Sequence, residues 1–427
     1  MTKFYQFLQV TFAALVIFSL FPPEAAVAQP ATATELESQW FRNVRQLTSK
    51  EIGLDRSGEA YFSPDIKRIC FQAFPAGKTE YQIYVMNLDG SGLKMVSTGI
   101  GATTCSHFHP SGEKMIFAAN HEDLREPEKP EEVEKFRPRE GQHPGGPPPE
   151  SAGHEQHGKK PREENSSGHP QHIQKAEHPG GHPQEAAGGK HPGGATDPKH
   201  GGGQGYAWKY FPGMDIYEYT FATGELKRLI SSEGYDAECT WSPDGQHIVF
   251  ASFRSGDQEI YVCDANGQNA QRITHAKGGD GGPFFSPDGQ RLIYRSDRHG
   301  TGNLQIFVNN TTGTDERALT GHDVFNWCPY WHPSGKWVVF TQADFRGRPN
   351  FDLYLMRGDG SVTYRMTTDA AFDGLPVFSP DGRYLMWTSR RNGIDSPQIF
   401  MADFIGLTPD GELRAKVEPI KPGGKSE

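Results

Sequence analysis

Two groups of residues in this chain have types and spacings that could do chemistry. The first is a crowd of imidazoles. His121, His143, His154, His157, His169, His172, His178, His182, His191 and His200 all fall between residues 121 and 208, and they are ten of the 17 histidines in the chain. Neutral imidazoles gather around Zn, Cu or Ni, and pairs such as His154/His157 and His169/His172 are close enough to share an ion. His143, His178 and His191 each open a His-Pro-Gly-Gly phrase. A solvated low-complexity loop with incidental histidines reads the same way, because neither a cysteine nor a fixed ligand spacing sharpens the pattern. The second group is a column of recurring residues, Ser57, Thr103, Asp236, Asp280, Asn326 and Asp373, with Glu59 and Glu238 two positions further on. Carboxylates at one level of a channel mouth can hold a cation or another ligand. Carboxylates that begin strands also serve as local caps and turn acceptors, and that structural role competes with the ligand reading.

The elements that must position these residues come from a repeat. One phrase recurs as Phe62-Ser63-Pro64-Asp65, Phe108-His109-Pro110-Ser111-Gly112, Trp241-Ser242-Pro243-Asp244-Gly245, Phe285-Ser286-Pro287-Asp288-Gly289, Trp331-His332-Pro333-Ser334-Gly335 and Phe378-Ser379-Pro380-Asp381-Gly382. Its prolines are 44 to 47 residues apart, except for one interval of 133 that an insertion of 88 residues at 121–208 explains. Pro presets the first central turn position and Gly accepts the left-handed conformation that closes a tight hairpin. The first copy has Ile66 in place of the Gly, so that turn is expected to be built differently. Apolar strands such as Ile248-Val249-Phe250 follow each turn, then strands such as Glu259-Ile260-Tyr261-Val262. Four strands at a period near 45 residues predict an all-β fold, a six-bladed β-propeller of four-stranded blades. The last blade has no outer strand of its own after Phe400, and Val44-Arg45-Gln46-Leu47-Thr48 supplies the missing copy, so an N-terminal outer strand is expected to close the ring.

The rest of the chain divides around this repeat. Residues 1–28 read as a signal peptide: Lys3, an apolar run to Phe21, then Ala26-Val27-Ala28. Residues 29–120 and 209–405 are the propeller. Residues 121–208 are a disordered insertion in blade two, because a segment rich in His, Gly and Pro cannot bury enough surface to offset its ordering entropy. Residues 406–427 read as a polar tail. Cys70, Cys105, Cys239, Cys263 and Cys328 are expected to be buried thiols, with Cys105–Cys239 the one candidate bridge. The formal net charge of −10 excludes general binding to a nucleic-acid backbone. The mature chain is expected to be an exported monomer, periplasmic or extracellular, with no transmembrane span once the leader is cleaved.

The phrase Trp241-Ser242-Pro243-Asp244-Gly245 with Ile248-Val249-Phe250 and Glu259-Ile260-Tyr261-Val262 resembles the TolB-type propeller repeat. The resemblance implies the six-bladed architecture and a cell-envelope setting. The α/β domain that precedes the propeller in TolB proteins is expected to be missing, since few residues separate the predicted cleavage site from the first strand. No Gly-x-Ser-x-Gly elbow, His-Glu-x-x-His or phosphate loop is present. The function expected is therefore a non-enzymatic scaffold that binds an envelope protein or polysaccharide. Metal buffering by the His-rich loop is one alternative. A channel-centred carbohydrate lyase or hydrolase is another, but its candidate histidines His107, His299 and His322 share no repeat position. Arg254, Arg298, Arg346 and Arg391 recur after the second strands and are expected to make a structural bond within each blade.

Overall fold

The computed structural model describes residues 33–125, 210–321, 323–346 and 349–420. Among them, six antiparallel sheets of four strands each form a ring of blades. The inner strands are Leu54–Phe62, Thr103–Phe108, Asp236–Trp241, Asp280–Phe285, Phe325–Trp331 and Asp373–Phe378, for blades 1 to 6. Each inner strand packs on the next, and the sixth packs on the first, so the ring is closed. No helix among the described residues is long and apolar enough to cross a membrane.

Closure comes from the N-terminus. Strand Phe41–Gln46 pairs antiparallel with Gln398–Phe404 and becomes the outer strand of blade 6. It begins three residues before the expected Val44–Thr48. Burial explains the offset: Trp40 and Phe41 are inside the core, where Phe41 stacks on Trp387 at 5.4 Å and Trp40 on Phe404 at 6.4 Å. These two aromatic side chains anchor the strand before the repeat-like residues begin, and pairing removes the exposed edge that an open array would have.

The turn phrase is held the same way in every blade. In the Ser-Pro-Asp copies the Ser hydroxyl donates to the Asp carboxylate and accepts from the backbone N–H five residues on, at 2.6 and 2.9 Å for Ser242. In the two His-Pro-Ser copies the imidazole and the Ser exchange places, with His109 Nδ1 and Ser111 Oγ 2.9 Å apart and His332 Nδ1 and Ser334 Oγ 2.8 Å apart. The first turn corrects its expectation. Ile66 adopts φ +58° and its N–H reaches the Ser63 carbonyl at 2.9 Å, as Gly245 N–H reaches that of Ser242. The Ser63–Asp65 bond and partial packing of Ile66 on the core hold the left-handed conformation, which costs roughly 1–2 kcal/mol for a side-chain-bearing residue.

Residues 1–28, read above as a signal peptide, and most of the stretch 121–208 lie outside the described residues, which end at Arg125 and resume at Tyr210. The stretch after the last strand, polar as it is, is bound to blades 5 and 6. Leu407 and Ala415 are buried, Trp337 Nε1 donates to the Gly411 carbonyl at 2.7 Å, and Ile420 N–H donates to the Thr363 carbonyl at 2.8 Å.

Candidate functional site

Each inner strand carries an irregularity at the same place, and that of blade 1 has a second one between Leu54 and Arg56. The ladder register shifts between Gly58 and Ala60, Thr104 and His107, Ala237 and Thr240, Gly281 and Phe284, Trp327 and Tyr330, and Gly374 and Val377. At each shift one residue has positive φ: Glu59, Cys105, Glu238, Gly282, Cys328 and Leu375, between +48° and +61°. A bulge bends the strand and re-aims its side chains. Here it sets one ring of six residues around the central axis. The bulge N–H is capped by the preceding blade. Glu59 N–H donates to Thr388 Oγ1 at 3.2 Å, Leu375 N–H to Thr341 Oγ1 at 3.2 Å, and Gly282 N–H to the Glu238 carboxylate.

Two residues beyond each bulge the channel closes. Tyr61 of blade 1 lies 5.8 Å, ring to ring, from Phe284 of the opposite blade 4. Tyr330 packs edge-on to Phe284 at 5.0 Å, and His107 meets Tyr61 at 5.6 Å. These side chains form an aromatic floor, and a cavity of about 60 Å³ lies between it and the face where the inner strands begin. That mouth face also carries the loops joining second to third strands, so Arg125 and Tyr210 at the ends of the insertion belong to it.

The cavity wall combines Glu59, Cys105, Glu238, Arg295, Trp327 and Cys328 with the floor aromatics. Glu238 and Arg295 form a buried pair at 2.8 Å. Gly281 makes this pair fit, since a Cβ there would stand 1.8 Å from Arg295 Nη1. Glu238 also lies 3.4 Å from the Tyr235 hydroxyl and 3.5 Å from Gln258 Nε2, and Tyr210, T-shaped on Tyr235, holds Gln258 at 3.0 Å. Glu59 is different. Its carboxylate meets the Tyr61 hydroxyl at 3.3 Å and makes no ion pair among the described residues. Protein surrounds it on every side but the channel, and that desolvation pushes its carboxyl up to about 7, with Glu238 adding repulsion while the Cys105 thiol, Tyr61 and Arg295 partly offset it. Burial also pushes the His107 imidazole down to about 4, so it is neutral; its Nδ1 accepts from Trp241 N–H at 3.3 Å.

The residues singled out in the sequence fall as follows. Ser57, Thr103, Asp236, Asp280, Asn326 and Asp373 share one level, and all are buried. Three of them meet the recurrent arginine of their own blade: Asp236–Arg254 at 2.9 Å, Asp280–Arg298 at 3.1 Å and Asp373–Arg391 at 2.6 Å. Blade 5 has Asn326 there, bonded to Gln342 and Gln305, and its Arg346 turns outward to Asp344 instead. Glu59 and Glu238 line the cavity itself. His143, His154, His157, His169, His172, His178, His182 and His191, offered for Zn, Cu or Ni, lie outside the described residues, as do His200 and His322. His121 packs on Tyr217 at 4.4 Å, and His299 stacks on Phe307 at 6.0 Å. The five cysteines are unpaired; Cys239 Sγ approaches the Cys105 carbonyl at 3.6 Å. Sequence reasoning missed Arg295, Trp327, Cys328 and the aromatic floor as site residues. For Cys328 and the floor the available signal was the repeat column itself, read two and four positions after the strand-starting residue; Arg295 and Trp327 lie outside those columns.

Comparison with known proteins adds a family. Residues 207–348 match the family described as PD40, TolB beta propeller domain. The TolB homologs of Chlorobium luteolum and Chlorobium chlorochromatii are 32% and 33% identical over 159 and 147 residues, which is 37% and 34% of this chain. Those alignments span 34% and 32% of the relatives, so the match covers about a third of their length. Among solved structures, TolB from Acinetobacter baumannii is similar at a TM-score of 0.48 with 16% identity, covering 84% of this chain and 65% of that one. Oligogalacturonate lyase from Vibrio parahaemolyticus is similar at 0.46 with 12% identity, covering 82% and 78%.

Proposed function

From a chain that is a TolB-like β-propeller, we propose that it is an exported, envelope-associated scaffold that docks a protein partner on the mouth face. One observation carries the choice of face. Among the described residues, Ile52, Ile100, Leu124 and Phe345 are large apolar side chains that are 40–59% exposed, and all four sit in mouth-face loops. The strand-connecting turns of the opposite face carry none among the described residues, and the stretch after the last strand on that face leaves Leu413 and Ile420 less exposed, at 37 and 38%. Apolar side chains left in water around a recessed pocket mark a contact surface. The leader-like N-terminus and the TolB homologs support the envelope setting.

The test is reversible crosslinking in cells, followed by fractionation and recovery of the tagged chain. The unaltered chain is expected in the exported fraction with one dominant envelope protein attached. Ile100→Asp with Phe345→Asp should cut that recovery by roughly tenfold, the size of effect expected for losing contact hot spots. Gln246→Glu with Gln290→Glu, on the opposite face, should leave it unchanged. A cytoplasmic chain, or equal recovery from both doubles, would remove the basis of the proposal.

A further inference from the structure

We infer that the blind cavity above the aromatic floor receives the ammonium tip of a lysine side chain presented by the docked partner, with Glu59 as its counter-ion. This rests on the reading of the mouth face as the docking face. Three features point to an alkylammonium. The first is charge. Of the two carboxylates in the cavity, Glu238 already holds a cation, Arg295, at 2.8 Å, whereas Glu59 has only the neutral Tyr61 hydroxyl and Cys105 thiol as hydrogen-bonding partners. A carboxylate recessed from water without a paired cation is costly and gains most from one. The second is the wall. Tyr61, Phe284, Trp327 and Tyr330 present aromatic surface around the same space, and ring faces attract cations. The third is size. About 60 Å³ corresponds to room for roughly four waters, which suits the last carbons and nitrogen of a lysine and is small for an aromatic ring. The chain's own net charge of −10 favours a basic partner surface around that lysine.

The bulges explain why this side chain is reachable. Glu59 stands at φ +48° with its N–H tied to Thr388 of the neighbouring blade, which turns its carboxylate toward the axis instead of into a blade interface. Cys105, Cys328 and Leu375 hold the equivalent positions on other blades and bring no second cation.

Calorimetry on the whole exported chain tests this, with n-butylammonium, Nα-acetyl-lysine methylamide, glycine methylamide and tetramethylammonium as probes. Butylammonium and acetyl-lysine methylamide are expected to bind. Their affinity should fall at least tenfold in Glu59→Gln, and thermal melting should show that this variant is folded. Glu59→Asp, which withdraws the carboxylate by one methylene, gives a second comparison if the first variant does not accumulate. Tetramethylammonium is expected not to bind. Absence of binding by butylammonium at tens of millimolar, equal affinity in wild type and Glu59→Gln, or preference for glycine methylamide over the lysine probe would overturn the inference. If the amines fail while mouth-face crosslinking persists, the lysine assignment falls and the docking face stands. Amine binding without crosslinking gives the reverse result.

Discussion

Replacing Arg391 with Met should destabilise the propeller by about 3–5 kcal/mol, while the same change at Arg346 should leave its stability unchanged. Both arginines follow the second strand of their blade, but Arg346 lies two residues further along, with Asp344 at the place that Arg391 holds in blade 6. Arg391 has a side chain 8% exposed; its guanidinium reaches Asp373 at 2.6 and 3.0 Å and Glu37 at 2.7 and 2.9 Å. Removing it leaves the wholly buried Asp373 carboxylate with the Trp387 indole N–H as its remaining partner among those named, and frees Glu37 of the N-terminal helix Ala33–Ser38 from blade 6. Breaking a buried pair from one side is expensive because the surviving charge stays desolvated. Arg346 has a side chain 60% exposed and pairs with Asp344 in solvent; Asn326 stands where blades 3, 4 and 6 have Asp, and Asp344 where they have Arg. Urea unfolding of the two variants beside the wild type measures both. Equal losses would mean that the buried pair carries no special weight in closing the ring.

Glu59→Gln should raise stability at pH 8.5 by about 3 kcal/mol and change it by less than about 0.5 kcal/mol at pH 4.5. The folded chain holds the Glu59 proton more tightly than the unfolded chain does, about 7 against an ordinary 4.5. Such a group contributes stability that is fully present below pH 4.5 and is lost as pH rises through 7. Gln resembles the protonated acid and removes that loss. The groups around Glu59 are Glu238, Arg295, Tyr61 and Cys105; Glu238 stays paired with Arg295, burial holds the Tyr61 phenol and the Cys105 thiol well above their ordinary ranges, and the window therefore belongs to Glu59. Thermal melts of both proteins from pH 4.5 to 8.5 should begin to diverge just above pH 4.5 and reach full separation a little above pH 7. Parallel curves would place the Glu59 carboxylate in a solvated setting and undercut the cavity.

The blades were legible because their turns need particular chemistry. Pro243, Asp244 and Gly245 each answer a backbone demand; Pro recurs in all six copies, Asp gives way only to Ser and Gly only to Ile66, so the spacing reports the fold. The arginine column was legible for a similar reason: three blades repeat one bond, and in blade 5, where Asn326 replaces the Asp, Asp344 takes the arginine's place and Arg346 lies outside. The site was harder to see. Five of the six bulge residues are not glycine, and Glu59, Cys105, Glu238, Cys328 and Leu375 share a backbone conformation but no side-chain chemistry. Arg295 occurs once, at a strand position that is Ala118 and Ala251 in blades 2 and 3. Nothing in its neighbourhood announces that it bends over Gly281 to reach Glu238. Ile66 shows the converse case, in which tertiary bonds hold a turn whose local residue argues against it.

Photocrosslinking from single positions in living cells addresses the central claim most directly. A photoreactive residue is placed in turn at Ile52, Ile100 and Phe345 around the mouth, and at Asp244 and Asp288 on the opposite face. The account predicts one envelope-protein adduct from the mouth positions and none from the turns. Adducts of the same partner from Asp244 or Asp288, with the mouth positions silent, would contradict it and put the docking surface on the other side of the ring.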